Sequence, residues 1–436
     1  MRRCLSIFIL FPTLCCQADT LTAMRVLRDE CLGCHKPGKA KGGLLLTTRE
    51  KMVLGGDNGT AIIAGQPEDS LLYQLVLEDA DPHMPPKKQI SKTQVEALQG
   101  WIREGAPWDA KVFDELPTAT PVALSPLPSA YQPVLALAIS PDEKRLASSA
   151  GSKVHLYDLT KPGRPQIGSL IGHDEAVQSL AWSPDGKTVI TGGFRQIRFW
   201  DAETQQESGK ITDTFVGNIT ALALTPDGST LFAADGETVG AGFIHRIDLG
   251  TRKPLTSWKA HDDTVYSLKM SPDGKSLAST AADKLARVWS VTTGSLTSTY
   301  EGHTNHVLSV AFNKDATQMA TAGADREIKV WDVKSREQDV TLGDKKTAFT
   351  ALAWTQNGKA LVAVTEKGGG SIFTDLKKHD GAQRSETAKQ TKLAGTGTML
   401  YSVALTDDAK LIFAGADDGK VWIWDGSGKQ SGHLPP

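Results

Sequence analysis

Seven times between residues 139 and 410 the chain writes one six-residue phrase: ISPDEK, WSPDGK, LTPDGS, MSPDGK, FNKDAT, WTQNGK and LTDDAK. Its second residue falls at Ser140, Ser183, Thr225, Ser271, Asn313, Thr355 and Thr406, at steps of 43, 42, 46, 42, 42 and 51 residues. Pro-Asp-Gly is turn chemistry: proline presets one backbone angle, and glycine takes the left-handed conformation that other residues resist. Before the phrase runs a mostly apolar stretch, as in AVQSLAW, ITALAL, TVYSLKM and HVLSVAF. After it comes a strand that ends in an aromatic residue and often Asp, as in RFWD, RVWS, KVWD and WIWD. A strand apolar on both faces must be covered on both. A short unit of this kind cannot bury itself alone, so neighbouring units must stack.

The period and these strand endings resemble the WD40 family, across about 300 residues. The resemblance implies a β-propeller of four-stranded blades, and seven units imply seven blades. It also implies a buried hydrogen-bond tetrad in each unit. Two are complete: His261, Ser279, Asp283 and Trp289, then His303, Thr321, Asp325 and Trp331. His173 and Trp200 survive without the Asp, and Asp418 and Trp424 without the Gly-His. The first, third and sixth units keep the strands but not the tetrad. These histidines recur at equivalent positions, each in its own repeat, so they read as architecture rather than as a shared metal site. His306 reads as a surface residue. Two segments compete to close the ring: the C-terminal KQSGHL as a last outer strand, or PVALS from the linker.

Ahead of the repeats stands a different region. Residues 116–133, LPTATPVALSPLPSAYQP, carry five prolines and read as an extended spacer. The expected division is a signal peptide at 1–18, a small domain at 19–110, a linker at 111–133 and the propeller at 134–436. The signal reading rests on Met1-Arg2-Arg3 followed by the mostly apolar Cys4–Leu14, with small residues Cys16 and Ala18 before a cleavage point at Asp19. A lipoprotein cut at Cys15 or Cys16 is the alternative. Export places the mature chain in an extracytoplasmic, periplasm-like compartment. A net charge of −2 leaves no global basic field for nucleic acid, and no later segment is apolar enough to span a membrane.

Removing the signal also removes Cys4, Cys15 and Cys16. Cys31 and Cys34 then remain, in CLGCH, directly before His35. Three chemistries use such a cluster: zinc, a redox dithiol and covalent haem. A zinc site needs about four ligands, and no second cysteine pair exists. A thioredoxin-type dithiol would follow a strand, whereas this one follows a helical stripe at Leu21, Met24, Leu27 and Cys31. Haem c attachment fits better. Two thiols add to the haem vinyl groups, and the adjacent imidazole reaches the iron.

A second axial ligand is offered by DPHMPPKK (81–88), where Met84 precedes two prolines that stiffen its loop. His83 beside it is the other candidate; the alternative reading makes Met84 a core filler and His83 a surface residue. Met/His ligation raises the reduction potential and leaves no open coordination site, which favours electron transfer. A short apolar helix is expected at 70–77, capped by Asp69 or Ser70. A second is expected at 91–105, opened by a Ser-x-x-Gln capping box and stopped at Gly105. LGGDNG (54–59) lacks the lysine of a phosphate loop and reads as a turn or haem-edge loop.

The stretches CLGCHKPGKAKGGLLLTT, LGGDNGTAIIAGQPEDSLLY, DPHMPPKKQIS and ALQGWIREGAPW resemble the planctomycete-type cytochrome c domain over residues 19 to about 109. The resemblance implies a small all-α domain. It also implies one covalent haem c, with thioethers at Cys31 and Cys34, His35 proximal and Met84 distal. Helix 91–105 is similar to the C-terminal helix that packs over the haem in small cytochromes. Lys36, Lys39, Lys41, Lys87 and Lys88 form a local basic patch on a weakly acidic domain, 11 basic against 13 acidic residues, suited to an acidic redox partner. The leading expectation is an exported one-electron carrier whose propeller binds a further partner, with no catalytic residues. The alternative is a redox enzyme with a second cofactor or substrate site in the propeller, like cytochrome cd1 or the quinoproteins.

Overall fold

A computed structural model describes residues 14–37, 39–86, 88–113, 132–212, 214–236, 240–343, 346–376 and 388–435. The chain divides into two compact units, Met1–Pro117 and Thr118–Pro436.

The first unit is less helical than an all-α domain. Its helices are α1 (Leu14–Val26), α2 (Arg49–Leu54), α3 (Leu71–Gln74) and α4 (Lys92–Arg103), with one small hairpin, β1 (His35–Lys36) and β2 (Lys39–Ala40). Much of the rest is irregular chain. α1 begins at Leu14, so the expected cleavage point before Asp19 lies inside it, and residues 1–13 lie outside the described residues. α4 has both halves of its capping box: Ser91 Oγ accepts from the Gln94 N–H, and Gln94 Oε1 accepts from the Ser91 N–H. It ends where Gly105 turns left-handed at φ 90°. Leu98, Trp101 and Ile102 on its apolar stripe are fully buried against Val26, Leu27, Met52 and Ile62. α3 is shorter than expected. Ser70 does not cap it; its hydroxyl is spent on the Ile63 N–H and the Gln66 carbonyl. The unit also runs past residue 110: the turn Ala110–Phe113 buries Val112, and Arg28 donates to the Val112 carbonyl.

The second unit is a ring of seven four-stranded antiparallel sheets, each built from four consecutive strands. The blades span 137–171, 179–211, 221–261, 265–300, 307–342, 349–393 and 400–434. The repeated phrase is the turn between the first and second strand of each. In all seven, the side-chain oxygen of its second residue accepts the backbone N–H five residues on, at 2.9–3.1 Å. That is why the position takes only Ser, Thr or Asn, short side chains that reach their own turn. The fifth residue is left-handed every time. Gly186, Gly228, Gly274 and Gly358 take φ 68–73° without strain, whereas Glu143, Ala316 and Ala409 adopt it at 53–56°.

Gln430–Leu434 is the outer strand of the seventh blade, and the linker's PVALS lies outside the described residues. The ring closes by packing. Val134, just before the first blade, and Leu146 and Tyr157 within it share a core with Phe413, Val421, Ile423 and Leu434 of the seventh. Val134 N–H donates to the Ala416 carbonyl, and Tyr157 Oη to the Pro435 carbonyl, both at 3.0 Å.

Candidate functional site

α1 runs into a single π-turn, Leu27–Cys31, closed by the Leu32 N–H on the Leu27 carbonyl. Such one-turn π segments occur often at functional sites. The chain then folds tightly back. Cys34 N–H bonds the Cys31 carbonyl, and Lys41 N–H the Cys34 carbonyl, both at 3.1 Å; Leu46 N–H bonds the His35 carbonyl at 2.9 Å. These bonds hold CLGCH as a compact loop. From the far side Met84 arrives, anchored by its N–H on the Leu75 carbonyl at 2.7 Å.

Cys31, Cys34, His35 and Met84 therefore line one cavity, of about 320 Å³, with Leu44, Leu46, Leu72, Leu75, Val76 and Pro85 as apolar wall. A mostly apolar concavity with a few converging polar groups is the usual form of a cofactor site. Gly56 and Gly59 of the LGGDNG loop form part of the lining, and a Cβ on Gly56 would fall 2.3 Å from the Gly42 carbonyl oxygen. No residue of α4 lines the cavity; that helix packs behind it, against α1.

Both thiols are free. Burial pushes the Cys31 thiol up to about 12, with Glu30 and Cys34 adding to the rise. Burial also lowers His35, against the raising pull of the Leu44 and Lys41 backbone, so its imidazole is neutral, the form that ligates a metal. Its Nδ1 is buried without a hydrogen-bond partner. Among the described residues, no three His, Cys, Asp or Glu side chains converge as a metal cluster. The donors present are of another kind, two thiols, one imidazole and one thioether around an apolar cavity, and that set suits a haem.

His83 is turned to other work. Its Nδ1 meets the Pro85 carbonyl at 3.0 Å and its Nε2 the Gln89 Oε1 at 2.5 Å, while Gln89 is itself held on the Val76 carbonyl. Lys88 lies 2.8 Å from Glu30, Lys36 and Lys39 face each other across the β1–β2 hairpin, and Lys41 is exposed at the cavity lining. Lys87 lies outside the described residues.

In the propeller, Trp289 Nε1 donates to Ser279 Oγ at 2.8 Å, Ser279 to His261 Nε2 at 2.7 Å, and His261 Nδ1 to Asp283 at 3.0 Å. Trp331, Thr321, His303 and Asp325 repeat the chain at 2.8, 2.8 and 2.8–3.0 Å. Burial lowers His261 and keeps it neutral. Burial raises Asp283, but the hydrogen bonds from His261 and the Asp262 N–H and the charge of Arg287 outweigh it and hold the carboxylate ionised. The second blade has half of this. His173 Nε2 meets Thr191 at 2.6 Å and Trp200 donates to the same hydroxyl, but His173 Nδ1 is buried and unpartnered. There the turn is one residue shorter and Arg195 stands where the fourth, fifth and seventh blades carry Asp.

Sequence reasoning missed the third blade's own network. Asp235 and His245, both fully buried, approach to 3.0 Å (Oδ1 to Nε2). His245 Nδ1 meets Ser257 Oγ at 2.8 Å, and Asp235 Oδ2 accepts the Val216 N–H at 2.7 Å. The types are those of a hydrolytic triad, yet none of the three lines the cavity at Cys31 or the one at the axis of the ring, so the network ties strands together. Its signal was available: Asp235 and His245 sit on neighbouring strands where a core position should be apolar.

Comparison with known proteins agrees with both halves. Residues 31–88 match the planctomycete cytochrome c family. Residues 164–201, 252–290, 294–332 and 388–425 match the WD domain, G-beta repeat. Similar curated proteins include the serine-threonine kinase receptor-associated protein of Gallus gallus, 24% identical over 225 residues, covering 43% of this chain and 61% of that one. The target of rapamycin complex subunit LST8 of Saccharomyces cerevisiae is 27% identical over 201 residues, 36% of this chain and 66% of that one. The uncharacterized WD repeat-containing protein sll1491 of Synechocystis is 37% identical over 98 residues, 21% of this chain and 26% of that one. The match to the first of these thus spans about three-fifths of that relative's length. The fold and these matches define a WD40-type propeller protein carrying a second, smaller unit. The chain joins a planctomycete-type cytochrome c region to a seven-bladed WD40-repeat β-propeller.

Proposed function

We propose that this protein is an exported electron carrier with one covalent haem c in its first unit, and that its propeller is a platform for a partner protein. Cys31 and Cys34 would carry the two thioether bonds, His35 the proximal position and Met84 the distal one. Residues so placed would hold a haem that supplies one-electron transfer to or from a partner. The chain's own residues hold and shield the group. The backbone bonds of CLGCH fix the thiols and the imidazole, and Leu44, Leu46, Leu72 and Val76 keep water from the cavity. A neutral imidazole and a neutral thioether as ligands would raise the reduction potential of a haem held there. The observation that carries this reading is the meeting of Met84 with Cys31, Cys34 and His35 around one apolar cavity, across fifty residues of sequence. The propeller reading rests on the WD40 match and on relatives whose names describe receptor-associated and complex-forming proteins. Among the described residues, no helix is long and apolar enough to cross a membrane.

The test is expression with haem c maturation, then acid-solvent extraction and redox titration of the wild type and Met84→Ala. Haem is expected to stay with the protein in both, and the variant to lose the sulfur-to-iron absorption band and fall in potential. Haem that extracts freely from the wild type ends the proposal.

A further inference from the structure

Three of the six residues from Asp81 to Pro86 are prolines, so this loop has few amide groups with which to fasten itself. Met84 gives its own N–H to the Leu75 carbonyl. Pro85 and Pro86 donate nothing, and the return bond from the Lys88 N–H to the Pro85 carbonyl is 3.4 Å long. Further fastening has to come from side chains.

His83 supplies it. Its ring lies between two oxygens: Nδ1 meets the Pro85 carbonyl at 3.0 Å, and Nε2 meets Gln89 Oε1 at 2.5 Å. Gln89 is oriented by its other amide atom, Nε2, which donates to the Val76 carbonyl at 2.9 Å and so turns Oε1 to the ring. One chain of contacts therefore starts at Val76, runs through Gln89 and His83, and ends at Pro85, the residue after Met84. Leu75, Val76, Met84 and Pro85 all line the cavity, whereas His83 and Gln89 do not. A thioether is a weak acceptor on a side chain with three rotatable bonds, so its direction is set by the loop that carries it. Partners that hold a ligand from outside the site fix that direction.

We propose that His83 and Gln89 are positioning residues for Met84, a clasp that fastens the Met84 loop to the cavity wall and holds the thioether at the distal position. The proposal rests on the haem reading and deepens it: His83, the other ligand candidate of this segment, serves the methionine instead of competing with it.

The test compares the full chain with His83→Ala, Gln89→Leu and the double variant, each expressed with haem c maturation. Haem is expected to stay covalently attached in all of them. In each single variant the sulfur-to-iron absorption band is expected to weaken and the potential to fall, in the direction of Met84→Ala. Because both residues belong to one chain of bonds, the double variant is expected to lose no more than the larger single loss. His83→Gln, which keeps an N–H to offer Gln89, is expected to recover part of the band. In chain made without haem, the Met84 amide is expected to exchange hydrogen about threefold or more faster in His83→Ala than in the wild type. A variant that is merely less stable keeps its band and potential well below its unfolding temperature. An unchanged band and potential in both single variants, or equal exchange of the Met84 amide, overturns this proposal and leaves the haem reading standing. Wild-type chain that takes up no covalent haem overturns the haem reading, and this one with it.

Discussion

His35 and His261 are both neutral and both enclosed, yet their surroundings are opposite. His261 has every polar atom answered, by Ser279 on one side and Asp283 on the other. His35 has a buried Nδ1 with no partner and a cavity beside it. A buried polar group that is fully paired supports the fold, whereas an orphaned one beside a cavity marks where something else belongs. His173 stands between them. It keeps one bond of the tetrad and lacks the other, and it does not line the cavity at Cys31.

The largest effect on this contrast is expected from Asp283→Ala. It strands His261 Nδ1–H in the core, and the propeller should lose about 1–3 kcal/mol in denaturant unfolding. Asp325→Ala, in a separate blade, should cost a similar amount, and the double variant should show the sum. An unchanged midpoint would mean that the tetrads do not support the ring.

A smaller effect concerns acid. Burial, reinforced by the Arg198 charge, lowers His173 from 6.5 to about 3. Between those values the unfolded chain binds a proton that the folded one refuses, so stability present above pH 6.5 is lost as pH falls towards 3. His173→Gln keeps a partner for Thr191 and cannot titrate. Its melting temperature should fall less steeply than that of the wild type from pH ~7 to ~4. Parallel curves would show that His173 does not carry the acid sensitivity.

The smallest is expected at His35. In chain made without haem, His35→Leu removes an Nδ1 that has no hydrogen-bond partner, along with the ring's interaction with the Leu44 and Lys41 backbone. Stability of the first unit should shift by less than about 0.5 kcal/mol. A loss of about 2 kcal/mol would class His35 with the architectural histidines instead.

The propeller was legible because its information is local and repeated. Each turn is closed by a side chain on its own backbone, so Ser140, Thr355 and their equivalents had to be written seven times. The tetrads could be named for the same reason: the residues lie at fixed offsets within one repeat. The third blade's Asp235–His245–Ser257 network was not legible, because it departs from the repeat and is recognised only when three strands are laid side by side. In the first unit the capping box of α4 could be read from Ser91 and Gln94 alone. The shortness of α3 could not, since Ser70 abandons its capping role for partners seven and four residues upstream.

By itself, then, the sequence determined the seven-fold repeat, the chemistry of CLGCH and the nearness of Met84 to a rigid proline pair, all of which depend on neighbours along the chain. Tertiary structure alone decided that Met84 shares a cavity with Cys31, Cys34 and His35, that His83 turns away to Gln89, that Glu30 takes Lys88, and that the ring closes by packing of its first blade on its last. These are contacts between distant segments. Burying apolar surface brings such segments together, and the hydrogen bonds left to satisfy then select each side chain's direction.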